Sequence, residues 1–102
     1  MLHFFWLDYC TLETFSASCE NDEVVNMVSA TYGLMRIGRC LETDFEHLGC
    51  HSDQLAHLDQ LCSGKQSCQL SVSDNKEMQE NTPCPSGLGP YLEASYACET
   101  GI

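Results

Sequence analysis

Basic residues are nearly absent from this chain. Arg36, Arg39, Lys65 and Lys76 stand against 15 Asp and Glu, which leaves a formal charge of −11. Nucleic acid and anionic membrane surfaces both recruit Lys and Arg first, so neither is expected as a partner. Long apolar runs are missing too. No stretch approaches the ~20 residues of a membrane helix, which argues against direct membrane insertion by this domain. The apolar opening Met1–Leu7 is too short for a signal-peptide core with its flanks and has no basic residue before it. No Asp-x-Asp-x-Asp-Gly loop suggests calcium, no Gly-x-Ser-x-Gly elbow suggests a serine hydrolase, and no Cys-x-x-Cys pair suggests zinc or dithiol chemistry. Asn81-Thr82 is followed by Pro83, so it is not a glycosylation acceptor. The reading is therefore of a non-enzyme, with no metal and no cofactor.

Cysteine, by contrast, is abundant: eight residues in a chain of 102. An even count without metal-ligand spacing reads as four disulfides in an oxidising compartment, outside the cell. Sequence alone leaves about 105 pairings open. Each bridge contributes ~2–4 kcal/mol at best, which is large beside a net domain stability of ~5–15 kcal/mol. The length suits one domain, residues 1–102. A secreted domain should carry a targeting signal, so the expectation is a module excised from a longer extracellular protein.

The segment that organises the rest is Thr82 to Cys98. Three prolines and two glycines fall between Pro83 and Pro90, which forbids regular structure there. A strand follows, with Leu92, Ala94, Tyr96 and Cys98 on one face and Tyr91, Glu93, Ser95 and Ala97 on the other, the alternation of a half-buried strand. Earlier strands are expected over 3–10, 12–19 and 24–32, separated by a polar turn at Glu20–Glu23 and closed by Gly33. Residues 34–50 read as a long loop. One helix is clear, over about 53–61, with Ser52 or Asp53 as N-cap, a stripe of Leu55, Leu58 and Leu61, and Gly64 past its end. Leu70 and Val72 start a short strand, and Ser73–Thr82 reads as a loop. The expected fold is small, disulfide-rich α+β, a β-sandwich-like core with one helix and long stapled loops.

Cysteine order, Ala30-Thr31-Tyr32-Gly33, Cys62-Ser-Gly-Lys-Gln-Ser-Cys68, Thr82-Pro83-Cys84 and Tyr91-Leu-Glu-Ala-Ser-Tyr-Ala-Cys98 together resemble the rhamnose/galactose-binding lectin domain, the sea-urchin-egg-lectin (SUEL) type also found in latrophilin-like receptors. The family signatures are Ala-Asn-Tyr-Gly-Arg, Cys-x-Gly-Lys-x-x-Cys, Asp-Pro-Cys and Lys-Tyr-Leu, with a final Tyr-x-Cys. The resemblance implies the pairing Cys10–Cys40, Cys19–Cys98, Cys50–Cys84 and Cys62–Cys68. It also implies a sugar site, and residue by residue the match is mixed. The motif tyrosine is kept as Tyr32, and Gly87 approximates the loop glycine in an interval one residue longer than usual. The glutamate after the first cysteine is replaced by Thr11, the aspartate of Asp-Pro-Cys by Thr82, the lysine of Lys-Tyr-Leu by Pro90, and the motif arginine by Leu34.

Tyr32, Gly87, Thr82 and Thr11 are thus the candidate ligand contacts, each with a plainer alternative. Tyr32 could finish the core at a strand end, the stronger reading without its charged neighbours. A Thr before Pro is commonly turn chemistry. His47, His51 and His57 cluster in sequence around Cys50 but match no ligand spacing, so they read as solvated.

The expected function is an extracellular lectin-like recognition or adhesion module that binds a glycan or protein ligand on another molecule, in a secreted or membrane-anchored parent. The alternative is a protein–protein or structural module that kept the scaffold and lost the sugar site, using the apolar segment His3–Tyr9 or an acidic face. A hydrolase or inhibitor is the third class, and no motif supports it. Thiol titration of the denatured, unreduced chain should detect no free cysteine; free thiols would remove both the oxidising address and the lectin resemblance.

Overall fold

A computed structural model describes residues 4–41, 49–80, 82, 84 and 89–100. Its elements are β1 (Phe4–Tyr9), β2 (Thr14–Ser18), β3 (Glu23–Gly33), β4 (His51–Asp53), α1 (Leu55–Cys62), β5 (Ser67–Ser71), α2 (Lys76–Glu80) and β6 (Tyr91–Thr100). Two antiparallel sheets form, one ordered β1-β6-β3-β4 and one pairing β2 with β5. This is the small disulfide-rich α+β architecture that the sequence predicts.

Apolar residues at alternate positions fill the main core. Phe15 and Ala17 come from β2, Leu92, Ala94 and Tyr96 from β6, and Leu58 and Cys62 from α1. Phe15 is the aromatic hub: its ring meets Tyr9 edge-on at 5.0 Å and Tyr96 edge-on at 6.3 Å, a geometry that adds to area burial. Strand β6 departs from the half-buried expectation. It lies between β1 and β3, and its second face carries Tyr91 into a smaller cluster with Leu34 and Leu41, while Ser95 bonds Ser29, Oγ to Oγ, at 2.6 Å. Both faces are covered, as befits a central strand.

In β3 the pairing register shifts between Met27 and Ser29. The extra residue, Val28, changes the parity, so Val25 and Met27 reach the core before it and Ala30 and Tyr32 after it. Gly33 closes the strand at a close approach. A Cβ there would lie 2.2 Å from the Cys50 carbonyl oxygen, and φ is +154°, so only glycine fits. That approach seats β4, a strand too short to leave a sequence signal.

The structure corrects the helix readings. Ser52 and Asp53 belong to β4, paired with Tyr32 and Thr31, so α1 starts at Leu55 with Gln54 at the cap position. Asp53 Oδ1 still accepts the Leu55 N–H at 2.9 Å. The inward stripe is buried Leu58 and Cys62 with half-buried Leu55, whereas Leu61 is exposed: a 3.6-residue period drifts off a strict three-residue count. Residues 73–82 are not all loop. Asn75 Oδ1 accepts the Met78 N–H at 2.9 Å and so caps α2, whose Met78 is fully buried.

Four disulfides join Cys10 to Cys40, Cys19 to Cys98, Cys50 to Cys84 and Cys62 to Cys68, with Cα separations of 5.1, 5.7, 5.4 and 5.3 Å. These are the pairs that the lectin resemblance implies. Beside the first bond, Glu13 locks the turn after β1. Its carboxylate accepts the Cys10 N–H at 2.7 Å and a two-pronged pair of bonds from Arg39, each 2.8 Å, and Arg39 also donates to the Asp8 carbonyl.

Two outcomes follow from this packing. Phe15→Ala should cost ~3–5 kcal/mol in denaturant unfolding, whereas Leu12→Ala, at a residue 90% exposed, should stay within ~0.5 kcal/mol. The Arg39 guanidinium, then the Cys10 N–H, pull the Glu13 pKa down to about 2 from 4.5. Because the folded value is the lower one, the Glu13 contribution is complete above the unfolded value and is lost as pH falls through that window to about 2. Wild type minus Glu13→Gln, followed by unfolding across acid pH, should show that difference vanish.

Candidate recognition site

Thr11 and Thr82 are held at the two ends of the proline-rich loop, and both hydroxyls already have work inside the fold. Thr11 Oγ1 donates to the Pro90 carbonyl at 2.6 Å. Thr82 Oγ1 donates to the Met78 carbonyl at 2.7 Å and lies 2.7 Å from Ser52 Oγ. A threonine hydroxyl has one proton. With that proton on Met78, Ser52 must be the donor to Thr82, and the Gln54 amide in turn donates to Ser52 Oγ at 2.8 Å. The result is a directed relay from Gln54 through Ser52 and Thr82 to Met78. Each link polarises the next, and the buried Gln54 amide that begins it is thereby partnered.

Tyr32 is the cross-strand partner of Ser52, so the fold brings it to the Thr82 end. Its ring lies in the core at 2% exposure, and burial pushes its phenol pKa up. Thr11 stands at the opposite end of the loop, beside Gly89 and Pro90. Gly87 lies outside the described residues. The loop's frame is covalent as well, through Cys84 to Cys50 at one end and through Cys10, next to Thr11, to Cys40 at the other.

The sequence reading passed over the arginines. An open groove of about 620 Å³ runs along the end of β1, lined by Leu7, Asp8, Glu13, Thr14, Arg36 and Arg39 among others. Arg36 Nη2 stands 2.5 Å from Glu93 Oε2, and the hydrogen bond and charge of that carboxylate raise the guanidinium pKa. Two of the chain's four Lys and Arg residues therefore face one groove, each against a carboxylate. A sequence signal existed: Glu13 stands two residues beyond the position where the family has its glutamate. Its oxygens are engaged by Cys10 and Arg39, so it does not replace a free sugar acceptor.

His57, unlike His51, departs from the solvated expectation. His51 is exposed, with Nδ1 2.7 Å from the Gly49 carbonyl. His57 is only 13% exposed at its side chain and lies 2.9 Å from Glu77; His47 lies outside the described residues. Among the described residues, the cluster with metal-ligand distances is Cys10, Glu13 and Cys40, whose sulfurs are bonded to each other. A disulfide offers no thiolate, so the set does not suit a metal. No helix among the described residues is long and apolar enough to cross a membrane.

Residues 17–98 match the family model for the D-galactoside/L-rhamnose binding SUEL lectin domain. Latrophilin Cirl of Drosophila mojavensis is 29% identical over 92 residues, covering 87% of this chain and 5% of the relative. Protein eva-1 homolog C is 31% identical over 94 residues in both Pan troglodytes and Homo sapiens, covering 87% of this chain and 21% of each relative. The chain thus spans a small part of the length of these relatives. The family match takes in the Tyr-Gly, Cys-x-Gly-Lys-x-x-Cys and final Tyr-x-Cys motifs and seven of the eight cysteines, and with it the chain belongs to the SUEL lectin domain family, a lectin-like binding module.

Proposed function

We propose that this domain is an extracellular recognition module of a larger adhesion or receptor-type protein, and that it engages a protein partner through its loop rim instead of holding a free rhamnose or galactose. The observation that carries this reading is the engagement of Thr11 by Pro90 and of Thr82 by Met78. Two positions where the family places carboxylates offer neutral hydroxyls whose protons are already donated. The lysine position is Pro90, which has no side-chain donor.

Magnitudes favour the same side. Each charge-assisted hydrogen bond is worth ~1.5–3 kcal/mol, and a millimolar site has only ~4 kcal/mol in total. Loss of two such contacts removes most of a monovalent sugar affinity. Four disulfides support the extracellular address. A charge of −11 supports a partner that is neither nucleic acid nor an anionic membrane.

A second reading, a glycan of altered identity, is favoured by one feature. An open polar groove of about 360 Å³, lined by Ser52, Asp53, Gln54, His57, Gln60 and Glu77, adjoins Thr82 and carries the kind of groups that sugar hydroxyls match. Calorimetric titration with L-rhamnose and D-galactose at millimolar concentration, run beside a glycan array, tests both. Silence in each supports the protein-partner reading. Saturable heat with either monosaccharide overturns it, and array binding alone transfers the assignment to the polar groove.

A further inference from the structure

We propose that His57 is a proton-operated latch on α2, and through α2 on the Thr82 end of the recognition rim. The link to recognition rests on the function proposed above; the latch itself does not. His57 Nδ1 lies 2.9 Å from Glu77 Oε2, and Nε2 lies 3.2 Å from Asn75 Oδ1. The second partner is fixed as an oxygen, because the same atom accepts the Met78 backbone N–H. Both ring nitrogens therefore face acceptors. A neutral imidazole carries one N–H and leaves one contact as acceptor against acceptor. The imidazolium carries two and satisfies both.

Among the described residues, few side chains anchor α2. It has five residues, far below the length at which a helix holds itself. Its described anchors include buried Met78, the Asn75 cap, a bond from Gln79 to the Ser73 carbonyl, the Thr82 hydroxyl on the Met78 carbonyl, and His57. The ring sits in the polar groove with two charged groups, Asp53 of β4 and Glu77 of α2, and with neutral Ser52, Gln54 and Gln60. Glu77 is 61% exposed at its side chain and can turn to water once the ring loses its proton; the ring cannot follow without leaving its site. From α2 the connection outward is one bond long, since the Met78 carbonyl accepts the Thr82 hydroxyl. Protonation thus holds the relay and the rim, and proton loss to solvent loosens them.

The sign follows from the two acceptors: α2 is held when both ring nitrogens carry protons and is released when the ring loses one. NMR on this 102-residue chain, with ring ¹⁵N shifts and amide protection factors corrected for intrinsic exchange, reads it out. The expected result is two protonated ring nitrogens at the acid end. Protection over 76–80 should fall on the order of tenfold on deprotonation, with Met78 and Thr82 amide signals moving at the His57 midpoint. His57→Gln has a single donor group and should be loose and flat with pH. His57→Lys keeps the charge and should be protected and flat. If His57→Gln fails to fold, Glu77→Gln should shrink the pH-dependent step. Uniform protection across the range, or a wild-type titration in His57→Gln, overturns the latch. A domain that binds no partner but keeps the His57-dependent step refutes the recognition reading alone.

Discussion

Cys19 follows the end of β2 in the small sheet, Cys98 lies in β6 at the centre of the large one, and the bond between them crosses 79 residues of chain. Closing a loop of that length removes ~4–5 kcal/mol of freedom from the unfolded ensemble in the chain-entropy picture. Geometry matters as much as energy here. The bond fixes β6 against the small sheet, and β6 is the strand that pairs with both β1 and β3. The same strand places Tyr91 beneath the loop 34–41, where its hydroxyl takes the Arg36 N–H at 3.1 Å, and Pro90 within reach of Thr11. The second sheet, the core and one end of the recognition loop thus share one covalent datum.

Much of this was legible in the residues. Alternation in Tyr91–Cys98 and the β-branched run around Val24 and Val25 located β6 and β3, because side chains of period two leave a direct trace. The absence of charged neighbours favours a core position for Tyr32, and that position is observed, but alternation alone would not give it. A straight alternation from Val25 would send Tyr32 away from the core, and only the extra residue at Val28 turns it inward. A bulge has no reliable local signature; it reflects what β6 and α1 require on the two sides. The three residues of β4 were hidden for a similar reason, since they exist where Gly33 lets the Cys50 carbonyl approach.

Helix α2 is a different case. Lys76-Glu77-Met78-Gln79-Glu80 consists of good helix formers behind a capping Asn75, and the signal was obscured by overall polarity. A single buried side chain, Met78, replaces the usual apolar stripe, so periodicity has nothing to count. His57 was misread for a related reason. Its polar neighbours lie 18 and 20 positions away in sequence, at Asn75 and Glu77, and only the packing of α2 on α1 converts a solvated-looking residue into one with two acceptors.

On the function proposed above, the replacements at Thr11 and Thr82 explain how a lectin scaffold persists without the charged sugar contacts of its family. A carboxylate at either position would accept hydrogen bonds from a sugar but could donate none to the fold. Threonine reverses that property: its single proton goes to Pro90 or Met78, and the loop is tied to β1 at one end and to α2 at the other. Preorganisation and ligand chemistry compete for the same atom, because a hydroxyl that donates inward has no proton left for a ligand. What it keeps is acceptor capacity, and at Thr82 the Ser52 hydroxyl already uses part of that. Under the proposed function, the same substitutions that remove charge from the rim also tie its two ends to the fold, a combination suited to contact with a preformed surface and poorly suited to gripping a small, well-hydrated sugar.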